Sequence, residues 1–201
     1  IELGGDIRYR HSDSDNKSIT SSETFLQQGS SFSNSRSNSL GCNDSWNVNF
    51  RLEWTPDTLT NIIFRPSFSL SRSNNYSDSR SATFNQDPYE YTEDPLADND
   101  DLWGEGGAGA GVRVNTNDSK TQSNNENLSA SGTLQVNRRL NNEGRNITFV
   151  GSYSYGDSES ESVSASEVRY FLDANRNEDI RNRYNVTPGK NWNYSAQFTY
   201  S

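Results

Sequence analysis

The chain reads WNVNFRLEWTPDTLTNIIFRPSFSLS from residue 46 to residue 71. Apolar and polar residues alternate strictly from Trp46 to Trp54, and the alternation resumes between Ile62 and Leu70. A period of two is typical of a strand with one apolar and one polar face. Residues 55–58 suit a tight turn, because proline presets its own backbone angle and aspartate bonds nearby backbone. The stretch therefore predicts a β-hairpin with an apolar side and a polar side.

The same pattern recurs along the rest of the chain. Six segments alternate at strand period, and short reversals are expected near Gln28, at residues 55–58 and at residues 141–144. A hairpin centred near Gln28 would pair the segments on either side along their full length. The alternation already begins at Ile1, so we expect an internal piece of a longer protein. Together these features predict one all-β domain over residues 1–201, an antiparallel up-and-down sheet of about six long strands.

Composition narrows the fold class further. Hydrophobic residues make up only 29% of the chain and the formal net charge is -9, whereas a soluble globular domain is usually about 45–50% apolar. Disordered chains share this polarity but are poor in aromatic residues, and here aromatics reach 11% and recur at strand period. A β-barrel wall needs apolar residues only at alternate positions within a limited band. The acidic balance argues against nucleic acid as a partner, because nucleic-acid binding requires a basic patch.

The apolar faces have the dimensions of membrane-spanning strands. Each is about ten residues long, the length that a tilted strand needs to cross a bilayer. Trp and Tyr lie toward the ends of these faces, as is typical of a membrane–water interface. The fold prediction is therefore part of a transmembrane β-barrel. The residues predicted to face lipid are Trp46, Val48, Phe50, Leu52, Trp54, Ile62, Phe64, Phe68, Trp192, Tyr194 and Phe198, and Leu134, Val136, Phe149 and Tyr153 are expected on the same face.

A soluble β-sandwich is the alternative architecture. Its sheets also have an apolar inner face, so alternation alone does not exclude a β-sandwich. The strands predicted here exceed twenty residues, whereas globular strands usually have about 5–6. The polar faces are also rich in Asn, Ser, Thr and Gln rather than Lys and Glu, which suits a hydrated lumen. Both features favour the barrel.

A long irregular loop is expected over residues 85–111. It contains two X-Pro pairs, a run of acidic residues and a glycine-rich end, and loops of this length are often functional. Tyr89, Tyr91 and Trp103 are candidate ligand contacts, because their rings could stack on a solute at the outer mouth of a barrel. The alternative is that these aromatic side chains pack the loop itself.

A calcium-like pattern lies within residues 173–183, a region expected to form a polar tip. The residues with oxygen ligands at alternate positions are Asp173, Asn175, Asn177 and Asp179, as at the start of a calcium loop. Glu178 occupies the glycine position of that motif and Tyr184 the position of the bidentate glutamate. A solvated acidic loop without calcium is therefore the alternative, and no other cofactor is expected.

Catalytic motifs are absent from the sequence. His11 is the only histidine and lies in a polar segment without a nucleophile motif, so a surface role is expected. Cys42 is the only cysteine, which excludes a disulfide within the chain and a metal site built on cysteines alone. We interpret Cys42 as an incidental loop residue and predict that the protein is not an enzyme.

Three stretches resemble the outer-membrane β-barrel family allied to TonB-dependent receptors. They are FRLEWTPDTLTNIIFRPSFSLS at 50–71, SATFNQDP at 81–88 and GRNITF at 144–149. The resemblance extends over essentially the whole chain and lies in strand and turn sequences. It implies a Gram-negative outer membrane, a large barrel in contact with outer-membrane lipid, often a plug domain, and energy from a periplasmic coupling protein. Neither a plug nor an energy-coupling box is recognisable here, so solute uptake is an implication of the resemblance.

Two function classes remain. The first is the wall and extracellular loops of an outer-membrane receptor or transporter that takes up an unknown solute. The second is a secreted or surface-displayed, β-rich adhesin or binding module. Retention in detergent-extracted outer membranes would favour the first class, and full solubility of a folded protein without detergent would favour the second.

Overall fold

A computed structural model describes residues 1–27, 29–141, 144–172 and 177–201 of the chain. Its elements are β1 (Glu2–Leu26), β2 (Gly29–Asp57), β3 (Thr60–Phe84), a 3-10 turn (Pro88–Glu90), α1 (Asp100–Trp103), β4 (Arg113–Arg139), β5 (Asn146–Tyr170) and β6 (Glu178–Tyr200). Within these ranges no helix combines the length and apolar character needed to cross a membrane.

The strands form one antiparallel sheet in the order β1-β2-β3-β4-β5-β6. The predicted up-and-down arrangement of six long strands is therefore confirmed. The first hairpin pairs from Glu2 opposite Glu53 to Leu26 opposite Gly29, which is the full-length pairing expected for a reversal near Gln28. Gly29 has a φ of 120° at this reversal, a conformation that glycine adopts without steric cost. Among the described residues β1 and β6 do not pair, so the sheet is open.

Two boundaries differ from the sequence prediction. β2 continues to Asp57, and its register with β3 shifts by one residue between Trp54 and Asp57. The β-bulge takes up the extra residue beside Pro56, which has no N–H to donate to a ladder. The reversal then falls at Thr58 and Leu59, where the Asp57 carboxylate accepts a hydrogen bond from the Leu59 N–H at 2.7 Å.

The second difference lies at the start of β6. Residues 178–183 are paired with β5, from Arg169 opposite Glu178 to Ser164 opposite Arg183. The polar tip expected over residues 173–183 is therefore shorter than predicted. Polar residues alone do not end a strand when a neighbouring strand supplies a continuous ladder of backbone hydrogen bonds.

Among the described residues, the buried hydrophobic core is small and lies under the loop between β3 and β4. Its members are Ala82, Phe84, Leu96, Trp103 and Val112. The rest of the sheet is one layer thick, so both of its faces are open over most of the strand length. The side chains on these two faces decide what the sheet contacts.

Candidate membrane-facing surface, polar face and outer loop

The apolar face is continuous across all six strands. Opposed residues of an antiparallel sheet share a face, and the registers join the strands in rows. One such row contains Ile7, Val48, Phe68, Ala130, Tyr155 and Trp192, and another contains Leu3, Leu52, Phe64, Leu134, Gly151 and Ala196. All fifteen residues expected on a common face lie on it, which confirms that part of the prediction. We call the segment of this face level with Trp46 to Trp54 the apolar band.

The apolar band is exposed over its whole width. Trp46 on β2 is 45% exposed, and Tyr194 and Phe198 on β6 are 74% and 65% exposed. Monomeric soluble proteins rarely expose contiguous apolar patches larger than a few hundred Å². A surface of this kind requires lipid or another apolar partner to cover it, so it is the candidate functional surface of the chain.

Small residues in the band accommodate aromatic rings from neighbouring positions. A Cβ on Gly5 would lie 2.6 Å from Cδ1 of Phe50, and a Cβ on Gly132 would lie 3.4 Å from the Phe64 ring. Tyr9 and Trp46 pack at the upper border with ring centroids 4.6 Å apart. The rings therefore lie over the glycines and extend the apolar cover across the strands.

The opposite face carries hydroxyl and amide side chains at the level of the apolar band. Ser67 and Ser131 are hydrogen bonded across β3 and β4 at 2.6 Å, and Ser69 and Ser129 repeat the pair at 2.8 Å. Farther along the strands, Ser160 donates to the Asn125 carbonyl oxygen at 2.6 Å. We call this surface the polar face. Besides charged residues such as Asp6, Arg51 and Glu53, it carries many small groups that both donate and accept, and such groups suit contact with water or a polar solute.

On the same face, charged residues replace apolar ones directly above the apolar band, that is, on its side nearer the loop between β3 and β4. His11, Asp44, Arg72, Glu126 and Glu159 are opposed to one another along one row. Arg72 makes two hydrogen bonds to Glu126, at 3.1 and 3.2 Å. We call this set the charged row. It marks the upper limit of the apolar band on β1 to β4. On β5 and β6 the charges begin one row lower, at the level of Trp46, where Asp157 and Lys190 are paired at 3.3 Å.

The loop between β3 and β4 folds onto the apolar-face side of the sheet, well above the band. Arg36 donates to Asp94 at 2.8 Å, and Arg80 is paired with Asp98 and, at 3.4 Å, with Asp118. Arg36 lies ten residues from Trp46 along β2, or about 33 Å at strand rise. These hydrogen bonds lower the pKa of Asp94 and of Asp98 below the ordinary aspartate value.

The three candidate ligand-contact residues occupy different environments in this loop. Trp103 is only 4% exposed and packs on Phe84, with ring centroids 5.1 Å apart. Tyr91 packs against the same core and donates to the Gln86 side chain at 2.8 Å. The expectation that Trp103 offers its ring to a solute is therefore corrected, because the ring is enclosed by the loop. Tyr89 is 49% exposed, and its contact with a solute stays a prediction.

The calcium-like pattern is only partly within the described residues. Asp173 and Asn175 lie outside them. Asn177 accepts a backbone hydrogen bond from the Tyr170 N–H at 3.0 Å, and Asp179 lies in β6 and is paired with Arg181 at 2.6 Å. Asp179 is thus a strand residue that already has a cationic partner, which corrects its placement in a loop.

Within the part of the chain that the structure describes, one cluster of metal-binding side chains emerges, and only through the strand pairing. Suitable ligand atoms of His11, Cys42 and Asp44 lie within 4.8 Å of one another. Cys42 is in the middle of β2, opposite Asp13, and not in a loop as interpreted from the sequence. The signal that would have located the cluster is the hairpin register, since a reversal at Gln28 places His11 opposite Asp44.

Comparison with known proteins identifies no family. No protein-family model matches the chain, and no curated protein does. Among solved structures, the membrane pore complex of pneumolysin is 11% identical over 97% of this chain and 31% of that chain, with a TM-score of 0.17. The copper transporter OprC is 8% identical over 96% of this chain and 44% of that chain, with a TM-score of 0.18. The chain spans less than half the length of either protein, and likenesses this weak carry no argument.

Proposed function

We propose that this chain forms part of the wall and outer loops of a β-barrel in the outer membrane of a Gram-negative bacterium, through which a polar solute enters the cell. The observation that carries the proposal is the apolar band, continuous over six strands and backed by a polar face at the same level. The segment from Trp46 to Trp54 has nine residues, and a tilted strand crosses a bilayer in about 9–11.

The location of the charges supports the same assignment. On the apolar-face side, the band is bounded above by the charged row, or one row lower on β5 and β6 by the Asp157–Lys190 pair, and the ion-paired loop lies farther from the band. Charged side chains cost little in water or among lipid headgroups, whereas Arg or Lys near a bilayer midplane costs about 2–4 kcal/mol and Asp or Glu somewhat less. The distribution matches a wall whose lower part lies in lipid and whose upper part extends into the medium.

The polar face provides the chemistry for solute passage. Its hydroxyl and amide groups form short hydrogen bonds to one another and offer further donors and acceptors to a solute. An unknown polar solute, a plug domain and a periplasmic energy-coupling protein belong to the proposal through the family resemblance alone. The chain acts in it as wall and loop, without catalysis.

Labelling of paired cysteine variants tests the membrane assignment. Ala130 and Ser131 are neighbours on β4 that face opposite sides of the sheet. In the full-length protein with Cys42→Ser, a charged, water-soluble thiol reagent is expected to label Ser131→Cys, while Ala130→Cys reacts only with a membrane-permeant reagent. Equal labelling of both by the water-soluble reagent, in a protein that needs no detergent, would favour the surface-displayed adhesin or binding module.

Flux through the reconstituted full-length protein tests solute passage. Ser131→Trp places a large ring on the polar face and is expected to slow entry of small neutral polar solutes into proteoliposomes. Ala130→Trp adds the same ring to the apolar band and serves as the matched control. Unchanged flux in both variants, with normal membrane insertion, would show that the polar face does not line the route.

A further inference from the structure

We infer that His11, Cys42 and Asp44 form a binding site for a borderline divalent metal ion such as Zn²⁺, on the β1–β2 hairpin directly above the apolar band. The donors come from two strands and converge through the register His11 opposite Asp44. The inference concerns binding alone and does not depend on the role of the sheet in a membrane.

The geometry is close to that of a bound site. The three donor atoms lie within 4.8 Å of one another, and tetrahedral Zn²⁺ with bonds of about 2.0–2.3 Å brings such donors to roughly 3.5 Å. The remaining adjustment is within reach of side-chain rotation, since His11 and Asp44 are 46% and 38% exposed. The backbone ladder that fixes β1 against β2 need not move.

The donor set selects the class of metal. Thiolate, imidazole and carboxylate together are typical of Zn²⁺ sites, whereas Ca²⁺ and Mg²⁺ take oxygen ligands. Three protein ligands leave a fourth position for water or for an external donor. The site would therefore hold an exchangeable ion with one open position.

Neighbouring groups already orient the ligands. His11 Nδ1 is hydrogen bonded to Asp44 Oδ1 at 2.8 Å, a bond that a metal ion held by both atoms would replace, and its Nε2 is 3.1 Å from Asp13 Oδ2. With Nδ1 on the metal, the Nε2–H can donate to Asp13, which is the carboxylate–histidine–metal arrangement that fixes the tautomer and ring. Tyr9 donates its hydroxyl to Asp44 Oδ1 at 2.5 Å and holds that carboxylate in place. Asp13 and Tyr9 are positioning residues.

Titration of the folded protein in detergent with Zn²⁺, in competition with a chromophoric chelator, tests the site. Cys42→Ser is expected to weaken Zn²⁺ binding at least about tenfold, because a hydroxyl replaces a soft thiolate ligand. Asp13→Asn is expected to weaken it by roughly 10–100-fold through loss of orientation. Asp15→Asn removes a carboxylate from the same face of β1 outside the cluster and should leave affinity unchanged.

Co²⁺ supplies a readout that does not depend on affinity. The folded protein with Co²⁺ is expected to show thiolate-to-metal charge-transfer absorption, which persists in Asp13→Asn and disappears in Cys42→Ser. Absence of this absorption in the unmodified protein would overturn the proposal, even if a variant failed to fold. Equal Zn²⁺ affinity in Cys42→Ser and the unmodified protein would also overturn the proposal. His11, Cys42 and Asp44 would then form a hydrogen-bonded cluster that does not bind metal.

Discussion

At the scale of single residues, function follows from which side of a strand a residue occupies. Phe50 and Asn49 are adjacent in sequence, but Phe50 is opposite Gly5 in the apolar band and Asn49 is opposite Asp6 on the polar face. Asn49 donates to the Asp6 carboxylate at 3.3 Å. Substitutions at these two neighbouring positions therefore alter opposite faces of the sheet.

Phe50→Arg is expected to reduce the free energy of unfolding in lipid vesicles by about 2–4 kcal/mol, the cost of a cation near the bilayer midplane. Asn49→Arg is expected to cost much less, because its guanidinium would face water and the Asp6 carboxylate. Denaturant unfolding of the full-length protein in vesicles measures both. Equal losses in the two variants would contradict the lipid-facing assignment of Phe50.

Gly5→Val is expected to destabilise the fold by about 1–3 kcal/mol, a typical cost of overpacking. A Cβ at this position would lie 2.6 Å from the Asn49 carbonyl oxygen and from Phe50. Gly4→Val is the matched control, because a Cβ there meets nothing within 4 Å. If thermal unfolding in detergent separates the two variants in the opposite order, the Phe50 ring does not lie over Gly5.

At the scale of elements, the loop between β3 and β4 is held by its own small core and by two ion pairs. Asp94 and Asp98 bind Arg36 and Arg80, whose side chains project from neighbouring strands on one face. The aromatic core of the loop is formed by Phe84 and Trp103. The loop is therefore a packed element on the apolar-face side, and its aromatic content serves mainly its own stability.

Acidification is expected to loosen this loop. Because the ion pairs lower the pKa of Asp94 and Asp98, their stabilisation is fully present above about pH 4, the ordinary aspartate value, and is lost as the pH falls through the lowered pKa. Trp103 fluorescence, with the other tryptophans replaced by phenylalanine, reports the change. In the variant with Asp94→Asn and Asp98→Asn, the loop is expected to be looser at neutral pH and to lack this pH dependence. A fluorescence–pH profile identical to that of the unmodified protein would contradict the stabilising role of the ion pairs.

At the scale of the whole molecule, the sheet ends in two long edges. β1 and β6 each leave one side of their backbone without a neighbouring strand among the described residues. Unpaired edges template association with other chains, and closed barrels remove them. In the proposed barrel, further strands would pair with both edges.

Residues 1–201 produced alone are expected to self-associate in detergent while keeping a β-rich circular dichroism spectrum. The physical cause is pairing between exposed edges of β1 and β6 on different molecules. Light scattering after size-exclusion chromatography measures the mass. A stable monomer with strand content matching the structure would indicate that β1 and β6 pair with each other.

Much of the fold of this protein follows from the strand pattern, because the alternation of apolar and polar residues is a local property of the sequence. The alternation from Trp46 to Trp54 specifies two faces within a single strand, and the reversal near Gln28 specifies the pairing of β1 with β2. The composition of each face follows directly. For this reason the six antiparallel strands and their shared apolar face are predictable from the amino-acid sequence alone.

Contacts between distant segments were decided only by the tertiary structure. The strand character of residues 178–183 depends on the backbone ladder of β5, and the burial of Trp103 depends on Phe84 and the fold of the loop. His11 and Cys42 are 31 positions apart and come together only through the register of β1 with β2. Alternation is repeated every two residues and survives any tertiary arrangement, whereas convergence of side chains depends on register, bulges and loop docking, which no local pattern contains.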